Sequence, residues 1–311
     1  MSVVIMMFAL VPKIEWVNNS PLSLQNRAVG AYLGLAVGDA LGSTVEFMTP
    51  MEIHQQYTIH DEIRGGGWLR LKPGQVTDDT TMSLALGKAI LSKGRVDAGA
   101  AAQAFDDWIR SKPVDIGNTV RRGIIHYRRT GQPENPMSEH DAGNGACMRC
   151  LPVALATFNC QEELVEASRA QTHVTHNNAL SDATTECVIE MIHGAMLGLT
   201  LDELFYGPVV RLQHKFPEFK FNDRRYGNPS GYIVDTMQAV FQALFEYKRF
   251  DEAMIDVVNR GGDADTTGAI LGMIAGALYG QDAIPSRWLK KLDKNIRRDC
   301  EAQARALIAL N

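Results

Sequence analysis

The sequence predicts an all-α protein that forms a single compact multi-helix domain. Apolar residues recur with helical spacing in several long segments, whereas the alternating pattern of a half-buried strand is scarce. Polar clusters stand directly before several apolar segments, so functional side chains are expected at helix N-termini and in loops. About ten or more helices are expected, the clearest at about 80–92, 98–110, 178–199, 201–215, 230–247 and 286–310.

The composition is that of a globular protein without nucleic-acid binding. The 311 residues are 45% hydrophobic and 22% charged with a net charge of −5, which suits one large core or two small ones. No basic block or basic-aromatic stripe is present. The five cysteines are odd in number and lie in apolar contexts, so they are expected to be reduced. Cys147 and Cys150 have a redox-like spacing, but no strand precedes them and no second pair exists.

Residues 1–25 form an apolar arm, and residues 26–311 form the predicted domain. The arm is apolar without interruption from Val3 to Val11. It has no positively charged start and no cleavage site, and it is too short to span a membrane, so a cytoplasmic protein is predicted. Because such a segment is costly to expose, the arm is expected to pack on its own domain or on another protein.

The first predicted helix and the turn after it carry two carboxylates in an apolar setting. Gly30, Gly34 and Gly38 interrupt its apolar residues and permit close backbone packing. Asp39 and Glu46 need partners if they are buried, so both are candidate site residues. Glu46 is the better candidate because it follows a predicted turn.

The next polar cluster is Thr77-Asp78-Asp79-Thr80. It follows a segment, 51–76, that is expected to be mostly loop, and it leads into an apolar helix. Adjacent carboxylates at a helix start repel each other, and the helix dipole contributes only about 0.3–1 kcal/mol per charge. A positive group is therefore expected beside Asp78 and Asp79.

Asp115, Gly117 and Asn118 precede a helix that carries several arginines. A helix cap accounts for either polar residue. The two polar groups around a glycine could equally face a ligand, and the sequence leaves both interpretations open.

Gly143, Asn144 and Gly145 lie in a segment, 142–146, that is expected to open the next helix. Small residues at a helix start leave amide groups free to approach a phosphate, although many such segments are only turns. Further along, His173 and His176 lie three residues apart, which suits a metal, a structural role or a substrate contact. Tyr232 opens a later helix and could face a site.

A second acidic cluster, Arg260 to Gly268, also opens an apolar helix. Asp265 or Thr266 can cap that helix, but one cap does not explain two carboxylates and two threonines. A calcium loop is rejected because its twelfth position holds Ile274 where a bidentate glutamate is required.

If the two acidic clusters meet in space, four aspartates converge. A divalent cation is then the natural neutralising group. With only oxygen ligands and no Cys or His in either cluster, magnesium or manganese is favoured over zinc or copper.

Four separated motifs, in this order, resemble those of the ADP-ribosylglycohydrolases. They are Gly30 to Gly42, Thr77 to Thr80, Gly143 to Ala146, and Gly261 to Gly268. The branch that activates dinitrogenase reductase looks nearest. The resemblance spans about residues 26–300 and implies an all-α fold with two Mg²⁺ or Mn²⁺ ions. It also implies metal-dependent removal of ADP-ribose from an arginine of a mono-ADP-ribosylated protein.

The resemblance also implies roles for individual residues. Glu46 would lie at the metals, and Asp115 or Glu46 would perform the acid–base chemistry. His176 would contact substrate, and Tyr232 would stack on adenine. Contacts to ribose and phosphates are implied for Gly117, Asn118, Gly143, Asn144 and Gly145. The implied metal ligands are Thr77, Asp78, Asp79, Asp263, Asp265 and Thr266.

The arm is the one departure from the family pattern. Some relatives with a similar layout are immunity proteins that block an ADP-ribosyltransferase toxin with an extension as well as reversing its product. Residues 1–25 are therefore an alternative binding segment for such a toxin.

Overall fold

The protein is described by a computed structural model that covers residues 22–310. These residues form helices and no strand, with two isolated backbone bridges. The predicted all-α fold is confirmed. Most of the predicted arm, residues 1–21, lies outside the described residues, so its boundary and packing stay predictions.

The helices are numbered in chain order. The first eight are α1 (Leu24–Gly42), α2 (Pro50–Tyr57), α3 (Asp78–Lys93), α4 (Ala98–Arg110), α5 (Asn118–Thr130), α6 (Leu151–Ala156), α7 (Leu164–Thr172) and α8 (Ala179–Met196). The others are α9 (Leu201–Leu204), α10 (Val210–Lys215), α11 (Ile233–Glu246), α12 (Phe250–Val258), α13 (Ala264–Tyr279), α14 (Ser286–Lys291) and α15 (Lys294–Ile308).

The centre of the fold is an antiparallel pair of buried helices, α1 and α13, in backbone contact. Both carry glycine at every fourth position, which places the glycines along one side of each helix. A Cβ atom added at Gly34 would lie 2.1 Å from the carbonyl oxygen of Gly272, and one at Gly38 would lie 2.0 Å from that of Gly268. Only glycine permits this approach, and it fixes α1 against α13 with little freedom to slide.

This pairing brings the end of α1 beside the start of α13. Gly42, at the C-terminal end of α1, packs on Ala264, where α13 begins. The chain that leaves α1 therefore carries Glu46 to the acidic cluster before α13. The N-terminal ends of α3, α5 and α11 open onto the same end of the pair.

The segment 51–76 is mostly loop, as predicted, but a helix that was not predicted, α2, forms at its start. Thr49 accepts a hydrogen bond from the backbone of Glu52, and the Glu52 side chain accepts one from the backbone of Thr49. This capping box, with Pro50 at the first helical position, is enough to begin a helix.

Two other predicted boundaries were wrong. The segment 142–146 does not open a helix, because its backbone pairs with Gly231 and Tyr232, and α6 begins only at Leu151. The helix expected over 286–310 divides into α14 and α15. Asp293 at the break donates its amide to Gly74 and caps α15 with its side chain.

The five cysteines are free thiols, and Cys147 and Cys150 are buried. Within residues 22–310, no helix has the length and apolar character that crossing a membrane requires.

Candidate active site

A cavity of about 460 Å³ lies where the helix N-termini meet. This volume is within the usual range of small-molecule sites, about 300–1,000 Å³. A larger groove of about 950 Å³ between α3 and α4 lacks the acidic cluster. The smaller cavity gathers most of the predicted site residues: Glu46, Asp78, Asp115, Gly117, Asn118, Gly143, Asn144, Gly145, His176, Asp263, Asp265 and Thr266.

The two acidic clusters predicted from the sequence meet at this cavity, because Asp78 of the first and Asp263 and Asp265 of the second line it together. Carboxylate oxygens of Glu46, Asp263 and Asp265 lie within 4.8 Å of one another. Burial and neighbouring carboxylates raise the pKa of Asp78 to about 7 and that of Glu46 to about 8. Burial and the same repulsion hold the pKa values of Asp79 and Asp265 well above the usual range. Ionising all these groups together is therefore unfavourable without a cation.

The donor set fits a divalent cation. Oδ1 of Asp79 is buried without a hydrogen-bond partner. The Thr77 hydroxyl has one proton but lies within reach of Asp39 (3.0 Å), Asp79 (3.2 Å) and Asp265 (3.5 Å). None of the ion pairs within residues 22–310 involves these carboxylates. Buried oxygen ligands that form no ion pair with a basic side chain are the type that Mg²⁺ and Mn²⁺ prefer.

Asp39 lies behind the cavity, where it holds the start of α3 against α1. It accepts hydrogen bonds from the backbone amides of Thr77 (2.9 Å) and Thr80 (3.1 Å) and from both hydroxyls. Burial raises the pKa of Asp39 to about 6, and these hydrogen bonds partly oppose the shift. The role of Asp39 is therefore to position Asp78 and Asp79.

Two aromatic residues that the sequence analysis missed stand at the cavity rim. Trp68 is 52% exposed, and its Nε1 donates a 2.6 Å hydrogen bond to Oε2 of Glu46. Phe47 is 64% exposed, and its ring centroid lies 5.4 Å from that of Trp68. Phe47 has a φ of 62°, which is costly for a bulky residue and common at functional sites. A glycine triplet directly before Trp68 was the available sequence signal.

Asp115 lies on the turn before α5, on the wall of the cavity. Its Oδ1 accepts a hydrogen bond from the backbone amide of Ile116 (2.7 Å). Burial, and to a smaller extent Asp263, raise its pKa. Gly117 occupies the N-cap position of α5, and no side chain caps this helix. Asp115 and Asn118 therefore do not act as caps, and Asn118 is exposed toward the cavity.

The loop at 143–145 forms the opposite wall. Asn144 donates hydrogen bonds from its side chain to Asp263 (2.7 Å) and to Thr236 (2.9 Å), which ties this loop to the acidic cluster. A Cβ atom at Gly145 would lie 2.8 Å from the ring of His176. Tyr232, 43% exposed, pairs through its backbone with Gly143 at the cavity edge.

The two histidines have different surroundings and do not form a metal pair. His173 contacts Asp182 (3.0 Å) and Glu134 (3.1 Å), and hydrogen bonding to these carboxylates raises its pKa. His176 lines the cavity, and burial together with Arg149 and Arg122 lowers its pKa well below the usual value.

Comparisons with known proteins find relatives that match nearly the whole chain. The family model described as ADP-ribosylglycohydrolase matches residues 20–311. The ADP-ribosyl-[dinitrogen reductase] glycohydrolase of Rhodospirillum rubrum is 52% identical over 93% of this chain and 97% of its own. The ADP-ribosylarginine hydrolase Tri1 of Serratia proteamaculans is 33% identical over 90% of this chain and 80% of its own. A solved ADP-ribosylglycohydrolase-related protein complex matches 93% of this chain and 99% of its own, with a TM-score of 0.80 and 35% identity.

Proposed function

This chain belongs to the ADP-ribosylglycohydrolase family, and we propose that it removes ADP-ribose from ADP-ribosylated arginine side chains of a target protein. One observation carries the proposal: the acidic cavity has an aromatic rim that suits a guanidinium group beside Glu46. The names of two relatives support it, since one refers to a modified protein and another to ADP-ribosylarginine.

We assign the metal centre to two Mg²⁺ or Mn²⁺ ions. When bound, such ions orient sugar hydroxyls and lower the pKa of water. The residues assigned to hold them are Thr77, Asp78, Asp79, Asp263, Asp265 and Thr266, with Glu46 beside them.

Glu46 and Asp115 are the carboxyl groups assigned to proton transfer. Hydrolysis breaks the bond between the ribose carbon and a guanidinium nitrogen, while water supplies a hydroxyl to the carbon and a proton to the nitrogen. Both pKa values are raised by burial, and a carboxyl group with a raised pKa can donate a proton near neutral pH. Trp68 fixes one oxygen of Glu46, and Ile116 fixes one oxygen of Asp115, so each group keeps a second oxygen for the substrate.

The aromatic rim favours arginine over other modified residues. Guanidinium groups stack on aromatic faces, with about 0.5–2 kcal/mol of stabilisation per contact. Phe47 and Trp68 present such faces next to Glu46, and half or more of each side chain is free of protein contact.

We expect Trp68→Ala to lower kcat/KM on ADP-ribosylated arginine by roughly two- to thirtyfold, the equivalent of one cation–π contact. The Trp68→Phe variant keeps a ring and loses only the hydrogen bond to Glu46, so it separates stacking from the positioning of Glu46. Rates of ADP-ribose release from matched peptides, ADP-ribosylated on arginine or on serine, test whether the rim recognises the guanidinium. Tyr206→Ala is the control, because it removes an exposed aromatic side chain elsewhere. Equal losses on both peptides would show that the rim does not recognise the guanidinium, and faster release from serine would overturn the assignment to arginine.

Binding of an ADP-ribosyltransferase through residues 1–25 and a cytoplasmic location stay predictions. The first rests on a segment that lies mostly outside the described residues.

A further inference from the structure

Arg149 is a fully buried cation that contacts no carboxylate among the described ion pairs. Its Nε donates to the side-chain oxygen of Gln171 (2.9 Å), and its Nη2 donates to the Gln171 carbonyl (3.0 Å). The guanidinium lies 4.2 Å from the ring centroid of Phe105. The same Nη2 also donates to the hydroxyl of Thr175 (2.8 Å), which in turn lies 2.7 Å from Nδ1 of His176. A continuous chain of contacts thus leads from Arg149 to a ring at the cavity wall.

The hydroxyl of Thr175 fixes where His176 carries its proton. A hydroxyl has one proton to donate and two lone pairs to accept with. Arg149 can only donate, so it occupies one lone pair. If Nδ1 of His176 were protonated, Thr175 would accept twice, and its own proton would have no acceptor among the hydrogen bonds of residues 22–310. Thr175 therefore donates to Nδ1, and the proton of the neutral ring is on Nε2.

The Nε2 atom is placed to meet a ligand. Cβ atoms added at positions 143 and 145 would lie 3.0 Å and 3.2 Å from it, so any side chain at either position would crowd this nitrogen. Within the described part of the chain, Nε2 makes no hydrogen bond, although the ring lines the cavity.

We propose that Arg149 and Thr175 are positioning residues that hold His176 as the neutral Nε2–H tautomer, so that it donates a hydrogen bond to an oxygen of the bound ADP-ribose. The identity of the ligand rests on the proposed function, whereas the tautomer does not.

The surroundings keep the ring in this state. Burial, Arg149 and Arg122 oppose a positive charge on His176 and lower its pKa well below the usual value. A neutral ring keeps Nδ1 as an acceptor for Thr175. His173, three residues away, shows the opposite case, since both of its ring nitrogens face carboxylates.

The first test is the tautomer itself, measured by long-range ¹H–¹⁵N NMR on the full chain. We expect Nε2 of His176 to resonate as a protonated nitrogen and Nδ1 as an unprotonated nitrogen with a hydrogen bond. In Thr175→Val, the Nδ1 resonance should move toward that of a nitrogen without a hydrogen bond, and Thr175→Ser should restore it. A proton on Nδ1 in the unmodified protein would overturn the proposal.

The second test is calorimetric titration with ADP-ribose. Loss of one neutral hydrogen bond predicts a Kd higher by roughly three- to tenfold in Thr175→Val, with recovery in Thr175→Ser. Thr157→Val is the matched control, because it removes another buried hydroxyl that lies beside a histidine, His193. Equal affinities of the Thr175→Val and Thr157→Val variants would contradict the proposal. If the unmodified protein does not bind ADP-ribose, the proposed function fails, and the NMR result still decides the tautomer.

Discussion

Replacing Asp265 with asparagine is expected to reduce release of ADP-ribose from arginine by at least about 10³-fold, or about 4 kcal/mol of transition-state stabilisation. Asp265 is 2% exposed, and a carboxylate oxygen lies within 4.8 Å of oxygens from Glu46 and Asp263. The substitution removes a carboxylate from the centre of the proposed donor set and places an amide there. Magnesium or manganese should bind this variant weakly or not at all.

The same substitution should make the metal-free protein more stable at pH 8. Burial and neighbouring carboxylates raise the folded-state pKa of Asp265, so the folded protein binds more protons than the unfolded chain. The stability that such groups contribute falls as the pH rises from the usual carboxyl pKa through the raised pKa. The raised pKa is about 7 for Asp78 and about 8 for Glu46. A neutral asparagine relieves part of this repulsion.

Thermal unfolding in EDTA and in magnesium checks both effects. In EDTA, we expect the Asp265→Asn variant to have a higher Tm than the wild-type protein. Adding magnesium should raise the Tm of the variant only slightly. Asp202→Asn removes an exposed carboxylate far from the cluster and should change neither property. Full activity together with normal stabilisation by magnesium would show that Asp265 is not a ligand.

The second large effect is on stability. Gly38→Ala should lower the free energy of unfolding by at least about 4 kcal/mol, as the most severe core substitutions do. The added Cβ would lie 2.0 Å from the carbonyl oxygen of Gly268 and 2.3 Å from its carbonyl carbon. These are backbone atoms of a buried helix, so the overlap is relieved only if α1 and α13 move apart. That movement would also displace Asp39, the next residue, from the start of α3.

Urea unfolding measures this change in the free energy of unfolding. The sign of the change is informative, because helix propensity alone predicts a gain. In an unconstrained helix, Gly→Ala stabilises by about 0.5–1 kcal/mol. Gly99→Ala in α4 is the matched control, since its added Cβ meets only the side chain of Asp97 at 3.4 Å. We expect a small gain at Gly99 and a large loss at Gly38. A gain at both positions would mean that the helices are not in backbone contact.

The sequence predicted those features whose signals are local. Apolar periodicity indicated the helices, and polar residues before apolar runs indicated which helix starts carry functional groups. The glycines of α1 predicted close packing, but their partner in α13 lies more than 200 residues away, and nothing local identifies it. The start of α2 is the exception, because its signal is local, the capping box of Thr49 and Glu52, and yet the helix was not predicted.

The parts of the site that were missed depend on long-range contacts. Trp68 follows three glycines in what looks like an ordinary loop, and only the fold brings its indole to Glu46. Arg149 and Thr175 lie 26 residues apart, and no local pattern in the sequence indicates the hydrogen bond between them. Asp39 was a candidate for the site, but the amides and hydroxyls of Thr77 and Thr80 all donate hydrogen bonds to it, which gives it a positioning role. The role of a buried polar residue follows from its partners, which the fold determines.

The most direct test of the central claim is release of ADP-ribose from an arginine-ADP-ribosylated protein by the full chain, first stripped with EDTA. We predict no release in EDTA and rapid release after magnesium or manganese is added, with unmodified arginine as the other product. Release that is equally fast in EDTA would contradict the metal centre. No release with either metal, while ADP-ribose still binds, would contradict the proposed arginine hydrolase activity.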